Sequence, residues 1–312
     1  MSVPQFGIFA QGTVAHYFLE FDLRRGVDLD RQLDAIGRLR TPAVSAGGVN
    51  LVVAFGAHLW RQIAPNDAPS DLKPFPGVTG ADGRVVPATQ HDIWLWISGS
   101  TSDVVFEHAR AATKVLKSVA TLAVEQPCFV HRDSRDLTGF IDGTANPQQL
   151  DAPLVALVPE GQVGEGGSHV IAIRWIHDLA AFEKLPVADQ QRVFGRTKPH
   201  GAELAEEVKP RTAHIARVEL EDSEGRELEI YRRSVPYGSV KEHGLYFVAF
   251  SSEPTRYERM LSRMFGAEDG QSDRLMDFSR PVSGSFYFAP SLTLLARLTS
   301  SRSGDAEVVS VS

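Results

Sequence analysis

One unit in the sequence occurs twice, and it limits the fold more than any other feature. Ile93-Trp94-Leu95-Trp96-Ile97 is an apolar run of strand length, followed by Ser100-Thr101-Ser102-Asp103 and a helical pattern to about residue 118. Leu245-Tyr246-Phe247-Val248-Ala249-Phe250 runs in the same way into Ser251-Ser252-Glu253-Pro254 and a helical pattern to about residue 265. In both places a strand signal meets the Ser/Thr-rich signal that opens a helix. The copies lie about half a chain apart. This predicts a duplicated α+β architecture, with antiparallel sheets covered by helices. Coincidence is the competing reading, because strand–turn–helix units are common.

The rest of the chain fits around this plan. Strands are expected at 18–23, 51–55, 122–130 and 169–176. Leu29, Leu33, Ile36 and Leu39 recur at helical spacing. Residues 75–90 are rich in Pro and Gly without a clean period and read as a long loop. Gly161, Gly164, Gly166 and Gly167 mark a hinge within 148–168, which divides the chain into domains 1–150 and 151–312. The small, polar tail from residue 300 is expected to be disordered.

Composition excludes several classes. The net charge of −7 argues against a general nucleic-acid binder. A single cysteine, Cys128, permits neither an intrachain disulfide nor a thiolate-rich zinc site. The N-terminus lacks a basic region followed by an apolar run, and no segment is apolar enough to span a membrane. A cytoplasmic protein is expected.

Four places carry candidate chemistry. Asp142 lies between glycines in Gly139-Phe140-Ile141-Asp142-Gly143-Thr144-Ala145-Asn146-Pro147. A carboxylate fixed on a stiff loop positions proton transfer, although an ordinary Asx turn gives the same pattern. His214 opens an alternating apolar stretch. It is either a core histidine or the single axial ligand of a haem, which needs only one imidazole. No Cys-x-x-Cys-His occurs, so such a haem would be non-covalent. Arg232 and Arg233 precede a Pro-Tyr-Gly turn, and either one points inward or both lie on the surface. Asp277 is a turn acid or the carboxylate behind a ligating imidazole. No glycine-rich phosphate loop follows a strand, and no Ser-His-Asp order specifies a hydrolase.

Taken together, these segments resemble the dye-decolourising peroxidase family, its bacterial B-type branch most of all. The carriers are 139–147, Gly195-Arg196-Thr197-Lys198, the region of His214, Arg232-Arg233-Ser234-Val235-Pro236-Tyr237-Gly238 and Asp273-Arg274-Leu275-Met276-Asp277-Phe278, in family order. The resemblance implies two ferredoxin-like halves with haem b (iron protoporphyrin IX) held non-covalently in the C-terminal half. It implies that His214 ligates iron, with Asp277 as its hydrogen-bond partner. Asp142 and Arg232 face hydrogen peroxide, and Arg196 suits a haem propionate. Gly143, Thr144 and Asn146 line the cofactor, with His177 at its periphery. Ser234 stands where many B-type members have Asn, so the distal water network is expected to differ.

The implied activity is reduction of hydrogen peroxide with one-electron oxidation of dyes, phenols or other aromatic donors, through a ferryl haem. Asp142 is the implied base, held ionised down to mild acid by Arg232. A haem-handling protein with little turnover is the alternative. A homo-oligomer is implied. Residues 301–307 do not clearly match the encapsulin-loading peptide of some members, which argues against loading. Trp175, Tyr231, Tyr237 and Tyr287 are either electron relays or core aromatics.

Overall fold

The computed structural model describes residues 2–39 and 48–300. Apart from residue 300, the polar tail, with the segment 301–307, lies outside the described residues. The N-terminal half runs β1 (Ala15–Leu23), α1 (Leu29–Gly37), β2 (Asn50–Phe55), α2 (Ala57–Ile63), β3 (Val78–Thr79), β4 (Val85–Val86), β5 (Ile93–Gly99), α3 (Ser102–Leu116) and β6 (Ala120–Phe129). After it come α4 (Ala152–Ala156), β7 (Ser168–His177), α5 (Leu179–Phe182), α6 (Val187–Phe194), α7 (His214–Val218), β8 (Tyr231–Arg232) and β9 (Val235–Gly238). The chain continues through β10 (His243–Ser251), α8 (Thr255–Met264), a 3-10 turn (Arg274–Asp277), β11 (Ser279–Pro281), β12 (Ser285–Ala289) and α9 (Leu292–Ser300).

Each half follows the ferredoxin-like plan. The N-terminal strands lie in the order β6-β1-β5-β2, and the C-terminal strands repeat it as β12-β7-β10-β8, with β9 also paired to β10. The unit that occurs twice in sequence supplies the third strand and second helix of the ferredoxin-like plan in each half, β5–α3 and β10–α8. The expected two sheets are one: β2 and β12 meet with Phe55 opposite Phe288, making a ten-stranded sheet. Residues 75–90, expected to be loop, hold the β3–β4 hairpin.

Burial follows position in the sheet. Every residue of the central strand β5 is buried, which is why it reads as a continuous apolar run. Edge strand β6 alternates, with one face toward water, and tolerates Pro127 because an edge strand can spare a donor. One face of each half packs on the other, with Ala152 and Ala156 of α4 in the same cluster. Phe18, Trp94 and Trp96 from one half meet Tyr246, Phe250 and Tyr287 from the other. Strand alternation sends Leu245 and Phe247 to the opposite face, toward α8. Among the described residues no helix is long and apolar enough to cross a membrane.

Candidate active site

Between that opposite face and helices α7 and α8 lies a pocket of about 190 Å³. Ile171, Ile173, Trp175, Leu245, Phe247, Met260 and Met264 make its walls apolar. Asp136, Asp142, His177, Arg196, His214 and Arg232 bring polar groups to it. It therefore gathers His214, Asp142 and Arg232, which are far apart in sequence.

His214 is the first residue of α7. Its Nδ1 lies 2.6 Å from Oδ2 of Asp273, which is completely buried. A buried carboxylate this close assigns the proton to Nδ1, leaving Nε2 with its lone pair free for a metal. Asp277 does not take this place. It is half exposed and accepts from Arg84 Nη2 at 2.7 Å. The cause is the 3-10 turn. Asp273 caps the turn's start, with Oδ1 accepting from Leu275 N at 2.8 Å, while Asp277 ends the turn on the side of the β3–β4 hairpin.

The Asp142 loop needs its glycines for its own packing. Gly139 and Gly143 have φ of 87° and 75°. A Cβ on Gly139 would come within 2.6 Å of Lys198 Cε, and one on Gly143 within 3.3 Å of Asn146 Nδ2. Asp142 Oδ1 accepts from Gly143 N at 2.7 Å. Asn146 ties the loop to β8. Its Nδ2 donates to Arg232 O and its Oδ1 accepts from Arg232 N, both at 2.9 Å. Asn146 thus contacts the main chain of Arg232 and does not line the pocket, whereas Gly143 and Thr144 do.

Charge at this end is under-compensated. Arg232 Nε is buried with no hydrogen-bond partner among the described residues. Burial lowers the pKa of Arg232, and nearby Asp142 opposes that effect. For Asp142, burial raises the pKa by more than Arg232 lowers it, and Asp136 adds to the rise. This corrects the expectation that Arg232 holds Asp142 low: desolvation outweighs one neighbouring cation that makes no direct ion pair with it. Both residues also border a second cleft at the boundary of the halves, with Gln11, His16 and Arg233. Ser234 lies on that cleft and not on the main pocket. Its Oγ accepts from Val248 N at 3.2 Å and lies 3.4 Å from Val248 O, so strand pairing occupies it.

Arg196 lines the pocket, donating to Gly201 O at 2.9 Å and to Glu219 at 3.4 Å. His177 also lines it, with both ring nitrogens engaged. Nδ1 lies 2.8 Å from Ser279 Oγ, and Nε2 lies 3.1 Å from Asp136 Oδ2. Burial pushes the Asp136 carboxyl up, but His177 and Thr138 outweigh it and leave the pKa below the ordinary value. Sequence reasoning missed Asp136 and Asp273. Asp136 had a signal, since it lies in the same loop as Asp142.

These residues fit a haem. An apolar slot suits a porphyrin, and one imidazole with a free Nε2 suits its iron. A buried guanidinium whose Nε has no partner among the described residues suits an anionic oxygen. Among the described residues no group of three or more His, Cys, Asp or Glu could hold a metal ion. A metal here would have to bring other ligands with it, as haem iron does.

Family models described as "Dyp-type peroxidase, N-terminal" and "Dyp-type peroxidase, C-terminal" match residues 5–129 and 133–294. A dye-decolorizing peroxidase of Rhodococcus erythropolis is 35% identical over 292 residues, covering 91% of this chain and 85% of that protein. Among solved structures, a variant of DypB from Rhodococcus jostii RHA1 in complex with heme superposes with a TM-score of 0.88 at 34% identity. That match covers 95% of this chain and 98% of the other. The encapsulated DyP-type peroxidase from Mycobacterium smegmatis gives a TM-score of 0.87 at 32% identity, over 95% and 98%.

Proposed function

The chain belongs to the Dyp-type peroxidase family, and from that premise we propose that it binds haem b beside His214 and reduces hydrogen peroxide while oxidising small aromatic donors. The observation that carries this reading is the convergence of a carboxylate-backed histidine, a buried arginine and a buried acid on one apolar pocket. When bound, haem supplies the iron at which the O–O bond of peroxide is cleaved and through which a donor loses electrons singly.

The protein's own groups do the rest. His214 Nε2 would hold the iron. Asp273, by accepting the Nδ1–H, makes the imidazole a stronger electron donor. Arg196 would pair with a propionate, and its weak 3.4 Å contact to Glu219 is easily exchanged. Asp142 takes a proton from peroxide and returns it to the departing oxygen, so that water leaves and not hydroxide. Arg232 sets its charge against the negative charge that develops as the bond breaks. Burial makes Asp142 a stronger base than a surface carboxylate and confines its action to pH values above its raised pKa.

A homo-oligomer in the cytoplasm is part of the proposal, drawn from family likeness. The Mycobacterium smegmatis relative is encapsulated. For this chain the reading against shell loading rests on residues 301–307 and is settled by co-expression with an encapsulin.

The test is reconstitution with hemin followed by peroxide and a phenolic donor. Peroxide-dependent oxidation that requires haem supports the proposal. A haem-loaded protein that leaves peroxide unconsumed is a haem-handling protein instead.

A further inference from the structure

One sheet layer behind the haem pocket lies a buried group that the peroxide chemistry above does not use. Glu20, on β1, is 2% exposed. Tyr246 donates to its Oε1 at 2.8 Å, and Tyr287 donates to its Oε2. Trp94 Nε1 donates to the Tyr246 oxygen at 3.2 Å, and Phe18 stacks on the Tyr246 ring at 4.1 Å. Tyr246 is 1% exposed, and Tyr287 and Trp94 are 0% exposed. Tyr246 follows Leu245 and precedes Phe247, both of which line the pocket. Tyr287 pairs with Val170 on β7, beside the pocket residue Ile171.

Oxidising a phenol requires its proton to leave with the electron, so a tyrosine becomes a donor only where a base meets its hydroxyl. The other aromatics near the pocket lack one. Tyr257 lines the pocket, but its hydroxyl meets the carbonyls of His169 and Ala249, which cannot hold a proton. The Tyr231 oxygen receives a hydrogen bond from Gln11, and a guanidinium nitrogen of Arg233 lies beside it. Tyr237 has a buried hydroxyl with no partner among the described residues. Each Glu20 oxygen meets one phenol, so in its carboxylate form Glu20 can accept from both. Burial raises its affinity for a further proton.

We propose that Tyr246 and Tyr287, with Glu20 as their shared proton acceptor, form an internal one-electron donor to the haem pocket. The proposal rests on the peroxidase reading above. In the step, one electron passes from a phenol to the cofactor oxidised by peroxide, and the phenolic proton passes to the Glu20 carboxylate. A neutral tyrosyl radical and a neutral carboxylic acid result. An electron from the reducing substrate, relayed through the cofactor, and the proton from Glu20 restore the pair. Because all three groups are buried, no external donor touches them. The site stores an oxidising equivalent when peroxide arrives without a donor.

The test is rapid freezing of the haem-loaded protein after mixing with peroxide alone, read by electron paramagnetic resonance. A tyrosyl signal is expected that narrows when the protein carries ring-deuterated tyrosine. It should disappear in the Tyr246→Phe/Tyr287→Phe double variant and weaken in Glu20→Gln, while peroxide is still consumed. Consumption without a tyrosyl signal, or a signal that survives in the double variant, overturns the proposal. If the double variant does not bind haem, the single variants decide, and an unchanged signal in both overturns it. If wild-type protein consumes no peroxide, the peroxidase reading itself fails and this proposal falls with it.

Discussion

Asp273 Oδ2 lies 2.6 Å from Nδ1 of His214, and Asp273 has no exposed surface at all. This contact, made by the protein's own groups, fixes the orientation of the imidazole. Second partners of ligating histidines are worth roughly 10–100-fold in metal affinity. Asp273→Ala is therefore expected to weaken hemin binding by about that factor and to raise the reduction potential of the bound iron. Asp277→Ala should leave both unchanged, losing only an exposed pair with Arg84 worth about 1 kcal/mol or less. Hemin titration and a redox titration of the two variants check this. Equal effects at both positions would contradict it.

Asp142 makes a pH prediction whose sign follows from its raised pKa. The folded protein binds the Asp142 proton more tightly than the unfolded chain does. Its ionisation therefore destabilises the fold fully at pH values above the folded pKa, and the penalty disappears below the ordinary carboxylate range. Asp142→Asn, which can still accept from Gly143 N, should be more stable than wild type at neutral pH. The gap should close as pH falls through the folded pKa. Urea midpoints of both proteins across pH 3–8 (roughly the window in which a raised carboxyl titrates) measure this, and a gap that widens toward acid would refute it. The same substitution should remove the proton acceptor and slow the reaction with peroxide by about 10²–10⁴-fold.

Asn146 holds Arg232 by both of its main-chain polar groups, the N–H and the C=O. Asn146→Ala leaves a partly buried N–H and C=O without their partner, at a cost of about 1–3 kcal/mol. It also frees Arg232 to shift. Hemin affinity should stay near wild type, because His214 and Asp273 are untouched, while the peroxide step slows. Calorimetric unfolding, hemin titration and stopped-flow mixing of this variant separate the three effects. A loss of hemin binding as large as that in Asp273→Ala would show that Asn146 contacts the cofactor directly.

Much of this arrangement was legible in the sequence, and the limits have physical causes. The repeated strand–turn–helix unit revealed the duplication because β5 is buried on both faces and α3 and α8 open after Ser/Thr-rich turns. Asp142, His214 and Arg232 could be named because the motif around each is local. Asp273 was passed over for Asp277 because both acids belong to one short turn. Only packing of that turn against the α7 region distinguishes them, through the hydrogen bond from Arg274 N to Thr212 O. The raised pKa of Asp142 was missed for a related reason: a charge neighbour can be guessed from sequence, but the depth of desolvation cannot. The joining of two sheets into one rests on a single register point between Phe55 and Phe288, which no periodicity encodes.

The most direct measurement is the absorption spectrum of hemin-loaded His214→Ala, recorded with and without added imidazole. Wild-type protein should show the Soret band of a histidine-ligated haem. The variant should lose that band and recover it when free imidazole fills the space left beside Asp273. A variant whose spectrum matches wild type without imidazole would show that His214 does not hold the iron and that the pocket works by another arrangement.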